Sequence, residues 1–384
     1  MATGADDRYW ERQGLPSVFK HDLLKRYLPQ FGGKTGSKAR GVVYLDGYAG
    51  RGRYEDKTPG SAEQIMQIAE QQGTVGIAYR LFFYESEQKS YAALKEVVDE
   101  YVARGLRAEA SDDEVITGLP DVITAAEDKS LFLFLDPCGL GLPFTDLTAT
   151  LSGPRVSAWP PTEVLLNFSL DAVRRIAGHV VSVTPNEKTM KRLDTALGGA
   201  WWRDVIRESG LNEVAVEQIV QEFVNRLSKA TSMHIYAIPV RRAPHHKPVY
   251  YLVFGTRSTL GIWYFADGVA RATEKWWETL DAQETARNED APTLFSIPEL
   301  LHPDITEVEA EARPVITENI ARLADERETF QVGDFPDEVF GDYLGRVRET
   351  VVRAAIKDLH SSGRTPSDGK GKQISSLVVT RQPQ

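Results

Sequence analysis

The sequence predicts an open α/β sheet of the doubly wound, Rossmann-like kind, followed by a smaller and mostly helical domain. Three observations predict it. Val42-Val43-Tyr44-Leu45-Asp46 is a short apolar run that ends in an acid and turns through Gly47, Gly50 and Gly52. Leu81–Glu85 and Leu131–Asp136 repeat that pattern, apolar on both faces and closed by a carboxylate, as strands buried between two helical layers require. The segments between them have helical periodicity, and strand–helix alternation is the order of a parallel sheet.

Composition sets the bounds. The 384 residues suffice for about two domains. A formal net charge of −10 argues against indiscriminate nucleic-acid binding, which needs a broadly positive field, and leaves room for a local basic groove. The single cysteine, Cys138, excludes an intramolecular disulfide and a zinc site built on thiolates, and the histidines show no metal-ligand spacing, so no metal is expected. No apolar run is long enough to span a bilayer, and the charged, polar N-terminus is unlike a secretory signal. A cytoplasmic setting is therefore the expectation.

Residues 1–17 read as a tail, and Val18–Leu28 as a helix that ends before Pro29. Gly32–Ser37 reads as a flexible loop. Its Gly-Lys-Thr lacks the leading glycine and the preceding strand of a phosphate loop. A helix starts at Gly60-Ser61, with Ser61 as N-cap, Gln64 completing a capping box, and Ile65, Ile68 and Ala69 on its buried face. Tyr91–Ala103 is helical, Leu106–Ala110 is a weaker strand, and Val115–Ala126 is a helix broken by Pro120. Glu163–Phe168 is the next strand. The helical stretch 170–232, with Trp201-Trp202, exceeds what a crossover needs; it is either a substrate-shaping insertion or core packing. His234–Ile238 and Val249–Phe254 complete seven strands, the last antiparallel, in a domain of residues 18–286. Composition shifts at Arg287, and Asn288–Pro292 reads as a linker. Residues 292–384 are helices, including Arg346–Leu359 with Val347, Val351, Ala355 and Leu359 on one side. A Gly/Ser/Lys loop at Gly363–Lys372 and a strand at Ser376–Thr380 follow. That order is winged-helix-like with a basic wing; a dimerisation or partner-binding appendage is the alternative.

In such a sheet the ligand lies beyond the carboxyl ends of the strands. The first strand delivers Asp46, Gly47, Tyr48, Gly50 and Gly52, where glycines let backbone N–H groups approach a ligand. A dinucleotide fingerprint fails, because Glu55 stands where its last glycine belongs. The second delivers Glu85, suited to two ribose hydroxyls or to capping the next helix. Ser111 and Asp112 follow the third, within reach of an adenine amine or forming a solvated turn. The fourth gives Asp136-Pro137-Cys138-Gly139. The fifth gives Asn167 and Phe168, with Asn167 facing substrate or capping a helix. The final hairpin carries Arg241, Arg242, His245, His246 and Lys247, with Arg257 after its second strand. These cations either hold substrate phosphates or blunt a sheet edge.

An acid at a strand end followed by x-Tyr-x-Gly-x-Gly resembles motif I of the class I S-adenosylmethionine methyltransferases, which implies that cofactor and places Asp46 near its methionine end. Asp136-Pro137 resembles the start of the Asp/Asn/Ser-Pro-Pro-aromatic motif of amino-methyltransferases. There the acid and the proline carbonyl accept hydrogen bonds from an exocyclic amine. The second proline and the aromatic are missing here; Phe144 or Phe168 is left to stack on a base. Pro137-Cys138 is also similar to the dipeptide of C5-cytosine methyltransferases, whose thiolate adds to the base, but no accompanying acid motif is found.

His21-Asp22-Leu23-Leu24 with Tyr27-Leu28, Asp46–Tyr54 with Gly60-Ser61, Asp136-Pro137 with Gly139, Leu165–Phe168, and Tyr250–Arg257 together resemble the three-Cys-motif partner proteins, over about residues 18–280. Position 138 is often aromatic in that family, so Cys138 departs from it. The resemblance implies a methyltransferase and a partner protein with a three-cysteine motif, similar to iron–sulfur radical S-adenosylmethionine proteins. The expected activity is methyl transfer to an amine of a nucleic-acid or nucleotide substrate, with Asp136, Pro137 and Asn167 placing the acceptor. A protein or peptide acceptor, and a non-catalytic cofactor-binding scaffold for the partner, are the alternatives.

Overall fold

A computed structural model describes residues 15–241, 246–290 and 302–382. The expected tail up to residue 14, Arg242 and His245 of the hairpin, and residues 291–301 lie outside the described residues. The chain divides into two compact units. The first holds Leu28–Arg242 and His246–Arg257; the second holds Ser17–Tyr27 and Ser258–Gln384.

The first unit is a seven-stranded sheet. Its strands are β1 (Val42–Asp46), β2 (Tyr79–Tyr84), β3 (Ala108–Ser111), β4 (Ser130–Leu135), β5 (Thr162–Ser169), β6 (His234–Val240) and β7 (Tyr250–Thr256), in the order β3-β2-β1-β4-β5-β7-β6. β1 to β5 run parallel, and β7 is antiparallel to both neighbours. This is the Rossmann-like class I methyltransferase fold. One face packs Val43, Leu45, Leu133, Leu135 and Val164 into the main core. On the other face Tyr44 stacks on Phe132 at 5.9 Å, and Phe31 meets Phe132 edge-on at 5.5 Å. Burial on both sides explains the unbroken apolar runs.

Several elements depart from the sequence expectation. Helix α1 (Leu15–Phe31) runs through Pro29 instead of stopping before it. The carbonyl of Pro29 is taken by Gln72 Nε2 at 2.8 Å, and Phe31 is anchored in the core, so tertiary contacts carry the last turn past the proline. Gly32–Gly36 is a π-helical turn rather than a flexible loop, fastened by Thr35 Oγ1 donating to Phe31 O at 2.7 Å. Helix α2 (Ser61–Gly73) takes Gly60 as its N-cap, and Ser61 is its first residue. Helix α3 (Gln88–Ala103) begins earlier than Tyr91 because the Glu87 side chain caps it, accepting from Lys89 N and Ser90 N. Helix α4 (Val115–Ala125) continues across Pro120.

Helix α5 (Phe144–Ser152) leads to β5. The stretch after β5 folds as α6 (Leu170–Ala177), α7 (Glu187–Leu197), α8 (Trp201–Ser209) and α9 (Glu213–Thr231). Asn186 and Asn212 cap α7 and α9. Trp202 is fully buried in the sheet's own core, its indole N–H on Asp194 Oδ1 at 2.9 Å. Core packing, not substrate shaping, is its role.

The second unit contains α10 (Thr259–Asp290), α11 (Ile305–Arg327), β8 (Thr329–Gln331), α12 (Pro336–Phe340), α13 (Thr350–Ser361) and β9 (Val378–Thr380), with β8 and β9 antiparallel. Its boundary falls at Ser258 rather than at 287–292, because α10 is one continuous helix committed to this unit's core. Trp263 is fully buried there, donating to Glu349 Oε2 at 2.6 Å and meeting Phe340 edge-on at 4.9 Å. α13 starts at Thr350, so Val347 is buried from the preceding turn. In the Gly363–Lys372 loop, Lys370 pairs with Asp368 at 2.7 Å and Arg364 with Glu318 at 2.5 Å, which locally neutralises the expected basic wing.

Candidate functional site

The carboxyl rim is set by register. Asp46 lies opposite Phe83 of β2 and Phe134 of β4, and Leu135 lies opposite Leu166 of β5. Glu85 and Asp136 follow two residues beyond the partners of Asp46, and Asn167 follows Leu166, so three neighbouring strands and β5 deliver polar groups to one edge.

Asp46 is fully buried. Its Oδ1 accepts from Tyr48 N at 3.1 Å and its Oδ2 from Ser61 Oγ at 2.8 Å. The hydroxyl expected to cap α2 is thus spent on joining that helix to the end of β1, and the capping box does not form. The turn between them is pinned by Gly47 N on Phe134 O and Ala49 N on Tyr84 O, both at 2.9 Å. A Cβ on Gly47 would stand 2.8 Å from Leu135 Cδ2, and Gly50 (φ 62°) and Gly52 (φ 75°) adopt the left-handed conformation that glycine accepts without strain. Arg53 fastens the turn's far side to Glu63 at 2.5 Å and Glu100 at 2.8 Å.

Glu85 is half-buried. Its Oε2 accepts from Gly50 N at 3.0 Å and its Oε1 from Glu87 N at 2.8 Å. Burial raises its pKa, and the two backbone N–H groups pull it partly back. A carboxylate offers about four lone-pair sites, so these bonds leave capacity for a pair of vicinal hydroxyls. Capping of α3 belongs to Glu87, not Glu85. Ser111 and Asp112 sit beside Glu85, whose N–H donates to Ser111 O at 3.0 Å. Ser111 Oγ exchanges bonds with Asp113, and exposed Asp112 accepts from Gln88 Nε2 at 3.1 Å, so both also have turn-forming work.

Asn167 Nδ2 donates to Asp136 Oδ1 at 2.7 Å. Ser169 caps α6, accepting from Ala172 N, which removes the capping reading of Asn167. Asn167 Oδ1 is buried with no hydrogen-bond partner among the described residues. Pro137 is buried and Cys138 exposed. Beside Asn167 lies a cavity of about 40 Å³ lined by Gly139–Leu142, Leu147, Leu166, Phe168, Val173, Leu197 and Phe223. Phe168, which packs on Phe223 at 4.9 Å, belongs to the cavity's apolar wall, and Phe144 packs on Phe223 from outside the lining at 5.9 Å. The sequence reading missed Tyr44. It is fully buried under the rim, and burial, then Asp46, then Asp136 raise its pKa well above the ordinary phenol value. A hydroxyl-bearing ring inside an aliphatic strand was the available signal.

The pairs Val240–Tyr250 and Ser169–Tyr250 place the β6–β7 connection on this same rim. Arg241 is half-buried there, His246 and Lys247 are exposed, and Lys247 pairs with Glu213 at 3.2 Å. Arg257 is not part of the cluster. It ends an antiparallel strand, so it lies at the opposite edge, donating to Leu151 O at 2.7 Å and Thr231 O at 2.6 Å. Buried Arg155 lies at that edge too, held by Thr162 Oγ1 at 2.8 Å and Ala126 O at 2.7 Å. Among the described residues no cluster of metal-ligating side chains occurs, and no helix is long and apolar enough to cross a membrane.

No protein-family model matches this chain, and no curated protein matches it. Among solved structures, it is similar to a Legionella pneumophila protein at 12% identity, covering 63% of this chain and 85% of that one, with a TM-score of 0.36. It is similar to the plantazolicin methyltransferase, solved with S-adenosylhomocysteine, at 11% identity, covering 65% and 88%, with a TM-score of 0.30. It is similar to the magnesium protoporphyrin IX methyltransferase of Synechocystis, solved with S-adenosylmethionine, at 10% identity, covering 67% and 100%, with a TM-score of 0.26. Likeness at this level carries no weight for the chemistry, and the fold assignment rests on strand order and direction.

Proposed function

We propose that the first unit is an S-adenosylmethionine-dependent methyltransferase that acts on an amine of a nucleic-acid or nucleotide substrate. One observation carries the reading: a glycine turn, two acids at adjacent strand ends and an acid–amide pair share one rim, Glu85 and Asp136 standing two residues further out than Asp46. The residues fit the cofactor. Gly50 and Gly52 give the turn the left-handed backbone that a tight approach to the rim needs, Glu85 has acceptor capacity for ribose hydroxyls, and Asp46 fixes the turn. Ser111 and Asp112 stand where an adenine amine would be met. When bound, S-adenosylmethionine supplies an electrophilic methyl on a sulfonium.

Asp136 accepts a hydrogen bond from an N–H of the acceptor amine and so turns its lone pair toward the methyl, with the Pro137 carbonyl beside it. Alignment of this kind is the main catalytic contribution. Arg241, His246 and Lys247 stand in the section of the rim suited to substrate phosphates, and Arg242 and His245, outside the described residues, are proposed as further phosphate ligands on their charge alone. A protein with a three-cysteine, iron–sulfur motif is the proposed partner, on the family resemblance. Calorimetry of the full chain with S-adenosylmethionine, followed by transfer of a labelled methyl to RNA, nucleotides and peptides, tests the reading. Cofactor binding with transfer to RNA or nucleotide is expected. Transfer only to peptide, or tight binding without transfer even with the partner present, would replace it with a protein methyltransferase or a scaffold.

A further inference from the structure

A carboxylate only accepts hydrogen bonds. The half of the Asn167 amide that faces the Asp136 carboxylate at 2.7 Å must therefore be the NH₂. That fixes the amide's orientation and leaves Oδ1 as the orphan: buried, and unpartnered among the described residues. A buried acceptor left unmade costs about 1–3 kcal/mol, and such a group in a native site calls for a ligand or a water. Asn167 also lines the cavity of about 40 Å³, where Ser169 is the other polar side chain and the remaining walls are glycine, alanine, leucine, valine and phenylalanine. That volume holds about three water-sized positions, enough for the amine-bearing edge of a ring but not for a whole base.

We infer that Asn167 Oδ1 is the specificity-determining acceptor of the site, and that with Asp136 it selects a neutral primary amine on a planar ring. The inference rests on the proposed methyltransferase reading and narrows its acceptor. Two acceptors, one on each side of the Asn167–Asp136 bond, match a group with two N–H donors. A hydroxyl has one donor, a ring carbonyl has none, and a dialkylated amine has none. An ammonium carries a charge that the apolar walls disfavour and has no lone pair to methylate. A neutral ring amine satisfies both acceptors and keeps its lone pair available.

The test titrates adenosine and cytidine into the full chain by calorimetry, with and without saturating S-adenosylhomocysteine, against their N,N-dimethyl derivatives and against inosine and uridine. Adenosine or cytidine is expected to bind at least tenfold more tightly than both of its counterparts. In Asn167→Leu that ratio is expected to fall to near one while S-adenosylhomocysteine binding is unchanged, which also shows that the variant is folded. Equal binding of the counterparts, no binding of either amine, or full discrimination retained by Asn167→Leu would overturn the inference; the last outcome would mean that a water serves the orphan oxygen. Failure to bind S-adenosylhomocysteine would sink the methyl-donor reading alone, because the ratio measured without it still decides the acceptor.

Discussion

At the residue scale, the proposed roles of Asp46, Glu85 and Asp136 can be separated experimentally. Glu85→Ala is expected to weaken S-adenosylmethionine binding tenfold or more in calorimetry, since charge-assisted hydrogen bonds contribute about 1.5–3 kcal/mol. Asp46→Ala should do the same and also lower stability, because its carboxylate joins β1, the turn and α2. Asp136→Ala should leave cofactor affinity within about twofold and abolish methyl transfer, as alignment is lost but the cofactor side is untouched. Retained turnover would refute its role. Cys138→Ser should stay active, because the exposed thiol has no assigned part in the step.

Glu85 also fixes a pH dependence. Burial raises its pKa above the usual 4.5, and it must be ionised to accept from two hydroxyls. Affinity for S-adenosylmethionine should therefore be full at neutral pH and fall as pH drops through that raised value, beginning at higher pH than an ordinary glutamate would dictate. The loss should vanish in Glu85→Gln, which cannot titrate. Calorimetry across pH 4 to 8, about the range where a perturbed carboxylate titrates, checks the sign.

At the element scale, the strands of the sheet were legible because burial on both faces forces long apolar runs, and their terminal acids marked the rim. Helix starts were less legible. Ser61 has the spacing of a cap, yet its hydroxyl goes to Asp46, a tertiary partner that local pattern cannot reveal. Pro29 and Pro120 have the look of breaks, yet both helices pass through them. Asn167 was recognised as a rim residue, but the choice between cap and substrate contact needed the register that sets it beside Asp136. Arg257 was misplaced because position along the chain does not say which sheet edge an antiparallel strand ends on. Gly52→Ala tests the turn. At φ 75°, with Leu94 Cδ1 3.1 Å from the new Cβ, it is expected to cost about 1–2 kcal/mol in denaturant unfolding and to weaken cofactor binding. Trp202→Ala, which hollows the core where α8 meets α9, should cost about 3–5 kcal/mol.

At the scale of the whole molecule, the net charge of −10 and the cations of the β6–β7 loop make opposite predictions for nucleic-acid binding. If only that loop meets phosphates, the salt dependence of RNA affinity should correspond to about four phosphate contacts or fewer, a logarithmic slope no steeper than about −3 for a single strand. A steeper slope would mean that the wider surface takes part.

The register of the rim has a last consequence. The cofactor-side carboxylates, Asp46 and Glu85, occupy the stretch formed by β1 and β2, while the arginine- and lysine-bearing connection stands at the far side, past β5, with the acceptor-side Asp136 between them. A cationic methyl donor and a polyanionic acceptor would each be drawn to its own sector, and neither would have to cross the repelling field of the other's berth. Electrostatics then impose no obligatory sequence of loading, and a random-order kinetic scheme follows from the arrangement of the strands.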